Sequence, residues 1–404
     1  MDLNSGLPFW LVKNGLLQTF PRLGENLQCD VLVVGAGITG ALIADELTQA
    51  GMNVCVIDRR EAGWGSTSAS TALLQYEIDT ELQALSERYG LADALLAYKS
   101  CEQAIHTLAK LTKNLRGIDF QLMQSLYFAS HWYHKNQIQK EGLLRQANGF
   151  SLAILDRTAL NTRFGIDAPI GLLSAVAAEI DPYKCTHRLL KRIQSLGGRI
   201  HARTALQHFS SVRGGLRIET EDGHVIRCKH MIIAAGYESQ QWIDEKVASN
   251  RSSYAFISEP LPNQLGALKQ TLIWESARPY LYLRRTGDER LLVGGEDDLI
   301  DIPLRRDARV AAKSTKLLKR VNKLFPLLPL KIAFAWAGTF AETKDGLPFF
   351  GNHEQHDKRV HFAMAYGGNG ITYSMIGAQL LRATLSGQAH PCAKLFSFKR
   401  LKRG

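Results

Sequence analysis

The sequence predicts an α/β protein whose chain opens with a parallel βαβ unit and continues into a second, α+β domain with a mainly antiparallel sheet. Three observations indicate this architecture. At 404 residues the chain exceeds what one hydrophobic core usually serves. A strand, a glycine turn, a helix and a second strand follow one another within residues 29–58. Strand-like segments then dominate residues 250–342.

The βαβ unit is recognised from its apolar segments and the residues that interrupt them. Cys29–Val34 is a short, largely apolar run that leads into the glycine-rich turn Gly35–Gly40. Good helix formers follow as far as Gly51, a typical helix stop. A second apolar run, Val54–Ile57, ends at Asp58. This is the order of strand, turn, helix and parallel strand.

The turn of this unit has the spacing G-x-G-x-x-G. Gly35 permits a tight turn, Gly37 lets the backbone approach a pyrophosphate, and Gly40 lets the helix pack close to the strand. The helix N-terminus directs unpaired N–H groups at the anion. Asp58 stands where a carboxylate binds an adenosine ribose. The pattern predicts a Rossmann-like dinucleotide site, the alternative being a glycine-rich turn in an ordinary α/β sheet.

Further elements are predicted along the chain. Apolar residues spaced three or four apart give a long helix over Leu91–Leu115. Asp181 followed by Pro182 is a helix start, with Asp as the cap. The remaining predicted elements are strands at 124–130, 199–209, 216–220, 224–235, 254–258, 271–274 and 360–366, a hairpin at 280–296, and helices at 307–324 and 372–386.

Two later segments favour a flavin over a nicotinamide cofactor. Met231–Gly236 ends in small residues, like the strand that closes the FAD site in flavoproteins with two dinucleotide folds. Gly367–Gly370 is a second glycine turn that opens a helix, and such an N-terminus suits the negative end of a reduced flavin ring or its ribityl chain. Each segment alone also fits a plain strand end or helix start. The three sites in this order predict FAD.

Five segments carry a resemblance to a known family. They are Asp30–Gly40, Gly63–Thr71, Ala234–Gly236, Trp336–Gly338 with Thr343–Gly351, and Tyr366–Thr372. Together they resemble the D-amino acid oxidase and glycine oxidase family of FAD-dependent oxidoreductases over nearly the whole chain. The resemblance implies a discontinuous FAD-binding domain (residues 1–90, 151–248 and 343–404) and a substrate domain (residues 91–150 and 249–342). It also implies hydride removal from the carbon next to a substrate nitrogen, giving an imine that hydrolyses.

The resemblance also implies which residues contact FAD. The first glycine turn would contact the pyrophosphate, Asp58 and Arg59 the adenosine, and the loop at 63–71 and the last glycine turn the flavin side. The implied cofactor-binding residues are Gly35, Ala36, Gly37, Ile38, Thr39, Gly40, Asp58, Arg59, Ser66, Thr67, Ser70, Thr71, Ala235, Gly236, Gly368, Asn369, Gly370, Ile371 and Thr372. In such enzymes the cofactor supplies the bond chemistry while the protein orients the substrate.

Two positions depart from the family pattern. Members that act on amino acids usually carry an Arg four residues after the Trp-x-Gly tryptophan, which holds the substrate carboxylate as a bidentate pair. Phe340 stands there in this chain, which favours an amine, or a carboxylate held elsewhere. Some relatives attach FAD through Cys or His. No Cys lies between Cys228 and Cys392 and the loop at 63–71 has no His, so noncovalent FAD is expected.

The hairpin strand that begins at Tyr280 is the candidate substrate wall. Alternation places Tyr280, Tyr282 and Arg284 on one face, and these are the predicted catalytic residues. Arg284 could replace the missing carboxylate clamp. The alternative is that Arg284 is a surface residue and the tyrosines are packing. Three other aromatic residues are assigned to the core rather than the pocket: Tyr254, Trp274 and Trp336.

Composition bounds the partners and the compartment. The net charge is +11 with His neutral, but the basic residues are interleaved with acids except in the tail, so nucleic-acid binding is not expected. The six cysteines form no C-x-x-C pair, which argues against a zinc site or a disulfide framework and fits a reducing compartment. No signal-peptide pattern or membrane-length apolar run is present. A cytoplasmic protein without a metal or a membrane span is expected.

We therefore expect an FAD-dependent oxidoreductase, either an oxidase or a dehydrogenase, that oxidises a C–N bond of a small amine or amino acid by hydride transfer to the flavin. Two alternatives stay open. One is a tRNA-modifying flavoenzyme that acts on an amine-bearing base, which the basic net charge would suit. The other is a flavin-binding subunit with no turnover of its own. The substrate, the electron acceptor and the oligomeric state are not specified by the sequence.

Overall fold

The computed structural model of the protein describes residues 2–299 and 301–403. Its helices are α1 (Phe9–Asn14), α2 (Ile38–Gln49), α3 (Ser66–Ala69), α4 (Leu82–Tyr89), α5 (Leu91–Thr112), α6 (Lys135–Ala147), α7 (Arg157–Phe164), α8 (Pro182–Ser195), α9 (Pro303–Leu324) and α10 (Gly370–Leu385). Its strands are β1 (Asn4–Gly6), β2 (Leu27–Val34), β3 (Val54–Ile57), β4 (Leu73–Gln75), β5 (Gln121–Phe128), β6 (Leu152–Asp156), β7 (Ile170–Glu179), β8 (Arg199–His201), β9 (Leu206–Val212), β10 (Gly215–Thr220), β11 (Val225–Ile233), β12 (Ser249–Ser258), β13 (Thr271–Glu275), β14 (Tyr282–Arg285), β15 (Leu291–Asp298), β16 (Ile332–Glu342), β17 (Phe349–Gly351) and β18 (Val360–Met364).

The first sheet is built on the predicted βαβ unit. Its strands lie in the order β17-β18-β11-β2-β3-β8, and β10 and β9 extend it from β11. The strands from β18 to β8 are parallel to their neighbours. β3 is buried throughout and β2 over most of its length, as expected for parallel strands covered on both faces. Helices α8 and α10 pack against α2. The Rossmann-like α/β prediction is confirmed.

The ends of the helices in this domain follow from local sequence signals. Asp181 caps α8, because its side chain accepts the backbone N–H of Lys184 over 2.9 Å, and Pro182 is the first helical residue. The long amphipathic helix predicted from Leu91 is α5, which ends at Thr112. The predicted strand at 199–209 is interrupted and forms β8 and β9.

The second sheet is mainly antiparallel, as predicted, and has ten strands. Nine lie in the order β1-β16-β12-β15-β14-β13-β5-β7-β4, and β6 pairs with β7. Only the β13–β5 pair is parallel among the pairings of the described residues. The predicted hairpin is β14–β15, in which Leu283 lies opposite Val293.

Strand pairing bears on how the chain divides into domains. β1, β4, β6 and β7 belong to the second sheet, although they come from the ranges 1–90 and 151–248 that the family resemblance implied for the FAD-binding domain. Conversely, α5 packs against α10 of the first domain, although it was assigned to the substrate domain. We therefore propose a division by sheet membership rather than by those ranges.

A shared core holds the two sheets together. The largest cluster of buried apolar side chains includes residues of α2, α5 and α10 and also Tyr76, Ile78 and Ala178 beside the β4–β7 edge of the second sheet. Burial of apolar surface on this scale fixes the position of one sheet against the other. The strand ends that face each other across this junction are thereby held at a defined separation.

Candidate active site

A cavity of about 620 Å³ lies between the two sheets. The first sheet and its helices contribute the N-terminus of α2, the ends of β3 and β11, and the turn before α10. The short helix α3 and the segment that follows it form the floor between the sheets, and β12–β16 supply the opposite wall. This volume falls in the range of cofactor and substrate pockets.

The first glycine turn forms a cradle at one side of the cavity. Gly35 has φ +120°, and a Cβ there would lie 2.3 Å from the carbonyl oxygen of Ala234. A Cβ on Gly40 would lie 1.8 Å from the carbonyl oxygen of Gly35, so both positions require glycine. A Cβ on Gly37 would meet only Thr67 Oγ1, at 3.0 Å, and would otherwise project into the cavity. The N-terminus of α2 is therefore open to an anion.

Asp58 lies beside this cradle and is held by backbone donors. Its Oδ2 accepts the N–H of Ala36 over 2.7 Å and its Oδ1 accepts the N–H of Arg60 over 2.8 Å. Burial raises the pKa of Asp58, while the two backbone hydrogen bonds lower it. Arg59 and Arg60 both pair with Glu238, which follows β11. The carboxylate lines the cavity where the adenosine was predicted.

The segment at 63–71 is fixed from the second sheet and the N-terminal helix. It contains α3, where the sequence predicted an irregular loop. The indole of Trp336 donates to the carbonyl of Ala69 over 2.9 Å, and that of Trp10 donates to the carbonyl of Ser70 over 2.7 Å. The hydroxyl of Thr67 accepts the N–H of Ile38 over 3.0 Å. This segment thus closes over the start of α2.

The second glycine turn is held by the segment that follows β4. The N–H of Gly368 donates to Oδ2 of Asp79 over 2.8 Å. The side-chain amide of Asn369 donates to the carbonyls of Gln75 and Glu77, each over 2.9 Å. These bonds set the N-terminus of α10 against the cavity opposite the end of β4.

Most of the predicted site residues come together around this cavity. Those among its lining are Gly35, Gly37, Ile38, Thr39, Asp58, Arg59, Ser66, Thr67, Ser70, Thr71, Ala235, Gly236, Gly368, Asn369, Gly370, Ile371, Tyr280 and Tyr282. Ala36, Gly40, Thr372 and Arg284 are not among the described lining residues. Ala36 and Thr372 are buried beside it, and Gly40 serves the close helix–strand packing.

The prediction that Arg284 reaches the pocket is not supported by its position. Its side chain is buried and its Nε donates to the carbonyl of Thr71 over 2.7 Å. Its Nη2 donates to the carbonyl of Ile180 over 3.0 Å, and its Nη1 lies 3.5 Å from the carboxylate of Glu179. The guanidinium also lies over the ring of Trp10, 5.2 Å from its centre. Arg284 is on the predicted strand face, but its side chain lies outside the cavity and stabilises the segment that forms the cavity floor.

The wall formed by the second sheet is aromatic and acidic, and its part nearest β13–β15 is called here the far end of the cavity. Trp274, Tyr280, Tyr282, Asp79 and Asp297 line it. Burial raises the pKa of Tyr282 to about 12 and that of Tyr280 well above 10, so both hydroxyls stay protonated. Both hydroxyls can therefore donate hydrogen bonds, as that of Tyr280 does to Oδ1 of Asp79 over 3.3 Å.

Several lining residues were missed or misplaced by sequence reasoning. Tyr254, Trp274 and Trp336 are buried as predicted, but they also line the cavity. Asp79 and Asp297 were not identified. The available signals were weak: Asp79 lies in a short polar stretch before α4, and Asp297 lies in an acidic run just beyond the predicted hairpin.

The residues present fit a dinucleotide that carries a flavin. Any Cβ on residue 37 would project into the cavity. Because this residue is glycine, a pyrophosphate has room at the start of α2. Asp58 is placed for a ribose, and a second helix N-terminus stands at Gly370.

Among the described residues no cluster of His, Cys, Asp and Glu could hold a metal ion. No described helix is both long enough and apolar enough to cross a bilayer.

Several known proteins of similar sequence or structure are oxidoreductases. Gamma-glutamylputrescine oxidoreductase of Escherichia coli (strain K12) is 25% identical over 384 residues, covering 92% of this chain and 86% of that protein. Glycine oxidase of Bacillus licheniformis is 23% identical over 375 residues, covering 92% of this chain and 96% of that protein. The crystal structure of glycine oxidase from Geobacillus kaustophilus matches with a TM-score of 0.78 at 19% identity, covering 92% and 99% of the two chains.

The family assignment rests on a match along most of the sequence. Residues 30–384 fit the model of the FAD dependent oxidoreductase (DAO) family. That range includes both glycine turns, Asp58 and the strands that carry the far end of the cavity. The chain therefore belongs to the FAD-dependent oxidoreductase (DAO) family, to which the glycine oxidases are related, and FAD is its cofactor.

Proposed function

We propose that the protein oxidises a C–N bond of a small amine or amino acid, with FAD bound noncovalently. The supporting observation is that one cavity joins two kinds of wall. The glycine turns at Gly35 and Gly367 bound it on the side of the first sheet, and the tyrosines of β14 and the segment before it bound it on the other. A substrate between them would lie against the flavin.

The names of the similar proteins support an amine or amino-acid substrate. One is an oxidoreductase of gamma-glutamylputrescine and another a glycine oxidase. Noncovalent attachment is supported by the lining, because no Cys or His occurs among the described residues of the cavity wall. Such side chains would be needed there for the usual covalent links to the flavin.

The reaction is a two-electron oxidation of the substrate. FAD, when bound, accepts the hydrogen and both electrons that leave the carbon next to the nitrogen. The C–H bond breaks, a C=N bond forms, and addition of water gives a carbonyl compound and releases the nitrogen as ammonia or an amine. The chain's own contribution is to orient the substrate against the ring and to exclude water. Trp274, Tyr280, Tyr282 and Phe340 supply aromatic rings for this purpose.

A spectroscopic experiment tests this proposal. The purified protein should be yellow and should release free FAD on heating. Amines and amino acids are then added one by one without oxygen, and loss of the flavin absorbance is followed. Bleaching by at least one of them is expected. If dithionite bleaches the flavin and no amine or amino acid does, the proposal is wrong and a flavin-binding subunit without turnover becomes the better account.

A further inference from the structure

A bulge in β15 turns an acidic side chain into the far end of the cavity. Ser252 lies opposite Asp298 and Tyr254 opposite Gly295, so Glu296 and Asp297 together face the single residue Ser253. Such a bulge re-aims side chains. Glu296 has φ +57° and pairs with Lys316 and Arg320 on α9, away from the cavity. Asp297 lines the cavity instead.

The carboxylate of Asp297 is incompletely satisfied. Its Oδ1 is buried and has no hydrogen-bond partner. The pKa of Asp297 is raised to about 6, mainly by burial and also by the negative charges of Asp79 and Glu342, while a hydrogen bond with Ser253 opposes this rise. The ammonium of Lys313 is held on Asp298 over 2.9 Å and on the carbonyl of Glu296 over 2.7 Å. Buried polar oxygens normally have partners, so this one indicates a donor from a ligand.

The described lining of the cavity contains basic residues only near the predicted adenosine site. These are Arg59 and Arg60, and both pair with Glu238. Arg278 is exposed at the rim, where it donates to the carbonyl of Asp79 over 3.2 Å and lies over the ring of Tyr280, 4.9 Å from its centre. It is not among the lining residues. A substrate carboxylate at the far end would thus meet Asp79 and Asp297 rather than a basic residue.

Aromatic rings flank the two carboxylates. The ring centres of Trp274 and Tyr280 are 6.3 Å apart, and those of Tyr280 and Tyr282 are 5.6 Å apart. Faces of Trp and Tyr attract cations, and such rings together with carboxylates form the usual recognition site for an ammonium group. The chemistry of the far end is therefore that of a cation site.

We propose, on the basis of the function proposed above, that the far end binds a substrate ammonium group and that the preferred substrate is an aliphatic diamine without a carboxylate. Hydride leaves a carbon whose nitrogen is neutral and has a free lone pair. Carboxylates stabilise the protonated form of a nitrogen they contact. The ammonium held by Asp297 and Asp79 is accordingly the second nitrogen of the substrate, not the one that is oxidised.

Matched probes test this proposal on the FAD-loaded protein. Unbranched diamines of about three to six carbons, a size that such a cavity admits, are compared with monoamines, ω-amino acids and α-amino acids of the same lengths. Flavin reduction without oxygen is followed by stopped flow. The diamines should reduce the flavin with at least tenfold higher kcat/KM than the amino acids, because replacing one ammonium by a carboxylate puts like charges together.

A variant then assigns the preference to Asp297. Asp297→Asn should lower the ratio of the diamine kcat/KM to that of the monoamine by roughly 30-fold, since a buried charged partner is lost. The effect should appear mainly in KM. Asp167→Asn is the matched control, because it removes one negative charge at an exposed position that pairs with Arg157 on the surface. Flavin content of each variant is measured first.

Each outcome separates the two proposals. If no amine or amino acid reduces the flavin, the proposed function itself fails. If amino acids reduce it better than diamines, C–N oxidation stands and the diamine proposal is overturned. Loss of that amino-acid activity in Arg278→Gln would then identify the rim arginine as the carboxylate site. An unchanged diamine-to-monoamine ratio in Asp297→Asn also overturns the proposal, and if that variant loses its flavin, the comparison of probes on the parent protein still decides.

Discussion

The hydroxyl of Tyr280 donates a hydrogen bond to Oδ1 of Asp79 over 3.3 Å. The other oxygen of that carboxylate accepts the backbone N–H of Gly368 over 2.8 Å. One side chain thus connects the aromatic wall of the second sheet with the glycine turn that opens α10. Asp79 therefore links the wall proposed to contact the substrate with the turn proposed to contact the flavin.

Replacing Asp79 by alanine should loosen this glycine turn. Hydrogen bonds to a charged group contribute roughly 1.5–3 kcal/mol each, so losing the acceptor of the Gly368 N–H should weaken FAD binding by at least about tenfold. The measurement is a titration of the apoprotein with FAD. Asp79→Asn keeps an oxygen that can accept the same N–H and should bind FAD more tightly than Asp79→Ala. Equal FAD affinity in all three proteins would show that the turn does not depend on Asp79.

Replacing Gly37 by valine should abolish flavin binding without unfolding the protein. The Cβ would meet only Thr67 Oγ1, and the valine side chain would occupy the space at the start of α2 that is proposed for the pyrophosphate. Gly35→Ala should instead destabilise the fold, because its Cβ would lie 2.3 Å from a backbone carbonyl. Visible absorbance, circular dichroism and thermal unfolding distinguish the two effects.

Gly24→Val is the control for the Gly37 experiment. Gly24 has no neighbour within 4 Å of its Cβ position and is exposed. This variant should keep both its fold and its flavin. A Gly37→Val protein that stays fully yellow would contradict the assignment of the cradle.

The cradle could be predicted from sequence because its signals are local. The glycine spacing and the apolar runs on either side lie within a few residues of the structure they specify. Gly35 and Gly40 touch one another across a single turn. A backbone conformation that a short segment must adopt restricts the residue types of that segment, so it can be recognised from the local sequence.

The far end of the cavity could not be predicted in the same way, since it depends on pairing between distant segments. β16 meets both β1 and β12, so that Gly338 lies opposite Asn4 on one side and Ser253 on the other. The bulge that re-aims Asp297 appears only when β15 is paired with β12. Alternation placed Arg284 on the correct face, but it does not show which groups the end of a long side chain contacts.

The buried position of Arg284 leads to a prediction about stability rather than binding. Arg284→Ala removes the hydrogen bonds that Arg284 donates to the carbonyls of Thr71 and Ile180. It also removes one of the positive charges that compensate the buried carboxylate of Glu179. Removing one member of a buried ion pair costs roughly 3–5 kcal/mol, so the free energy of unfolding should fall by about that amount. Urea unfolding followed by fluorescence measures it.

The same variant separates a structural role from a carboxylate clamp. In FAD-loaded Arg284→Ala, the ratio of KM for an amino acid to KM for the matching amine should equal that of the parent. A selective rise in KM for the amino acid would show that Arg284 reaches the substrate after all, and its assignment as a brace of the cavity floor would be wrong.

The acidic far end should reduce the stability of the fold above about pH 6. The pKa of Asp297 is raised from 3.8 to about 6 by burial, so the folded protein holds this proton more tightly than the unfolded chain does. Stability therefore falls as the pH rises from about 4 through 6, where the buried carboxyl must ionise. Asp297→Asn removes this cost and should be more stable than the parent by up to about 3 kcal/mol near pH 8, with little difference near pH 4.

If Asp297 binds a substrate cation and its burial also destabilises the fold, one substitution should change both the stability and the substrate preference. The substitution that stabilises the substrate-free holoenzyme at about pH 8 is then the one that lowers its preference for diamines, as expected when a site is strained for function. Asp167→Asn should behave in the opposite sense, because the guanidinium of Arg157 lowers the pKa of Asp167 and its charge favours folding at neutral pH. Unfolding in urea across this pH range measures both variants. A difference between Asp297→Asn and the parent that does not change with pH would mean that the carboxyl of Asp297 is not held in an unfavourable environment, and the cation site would lose its physical basis.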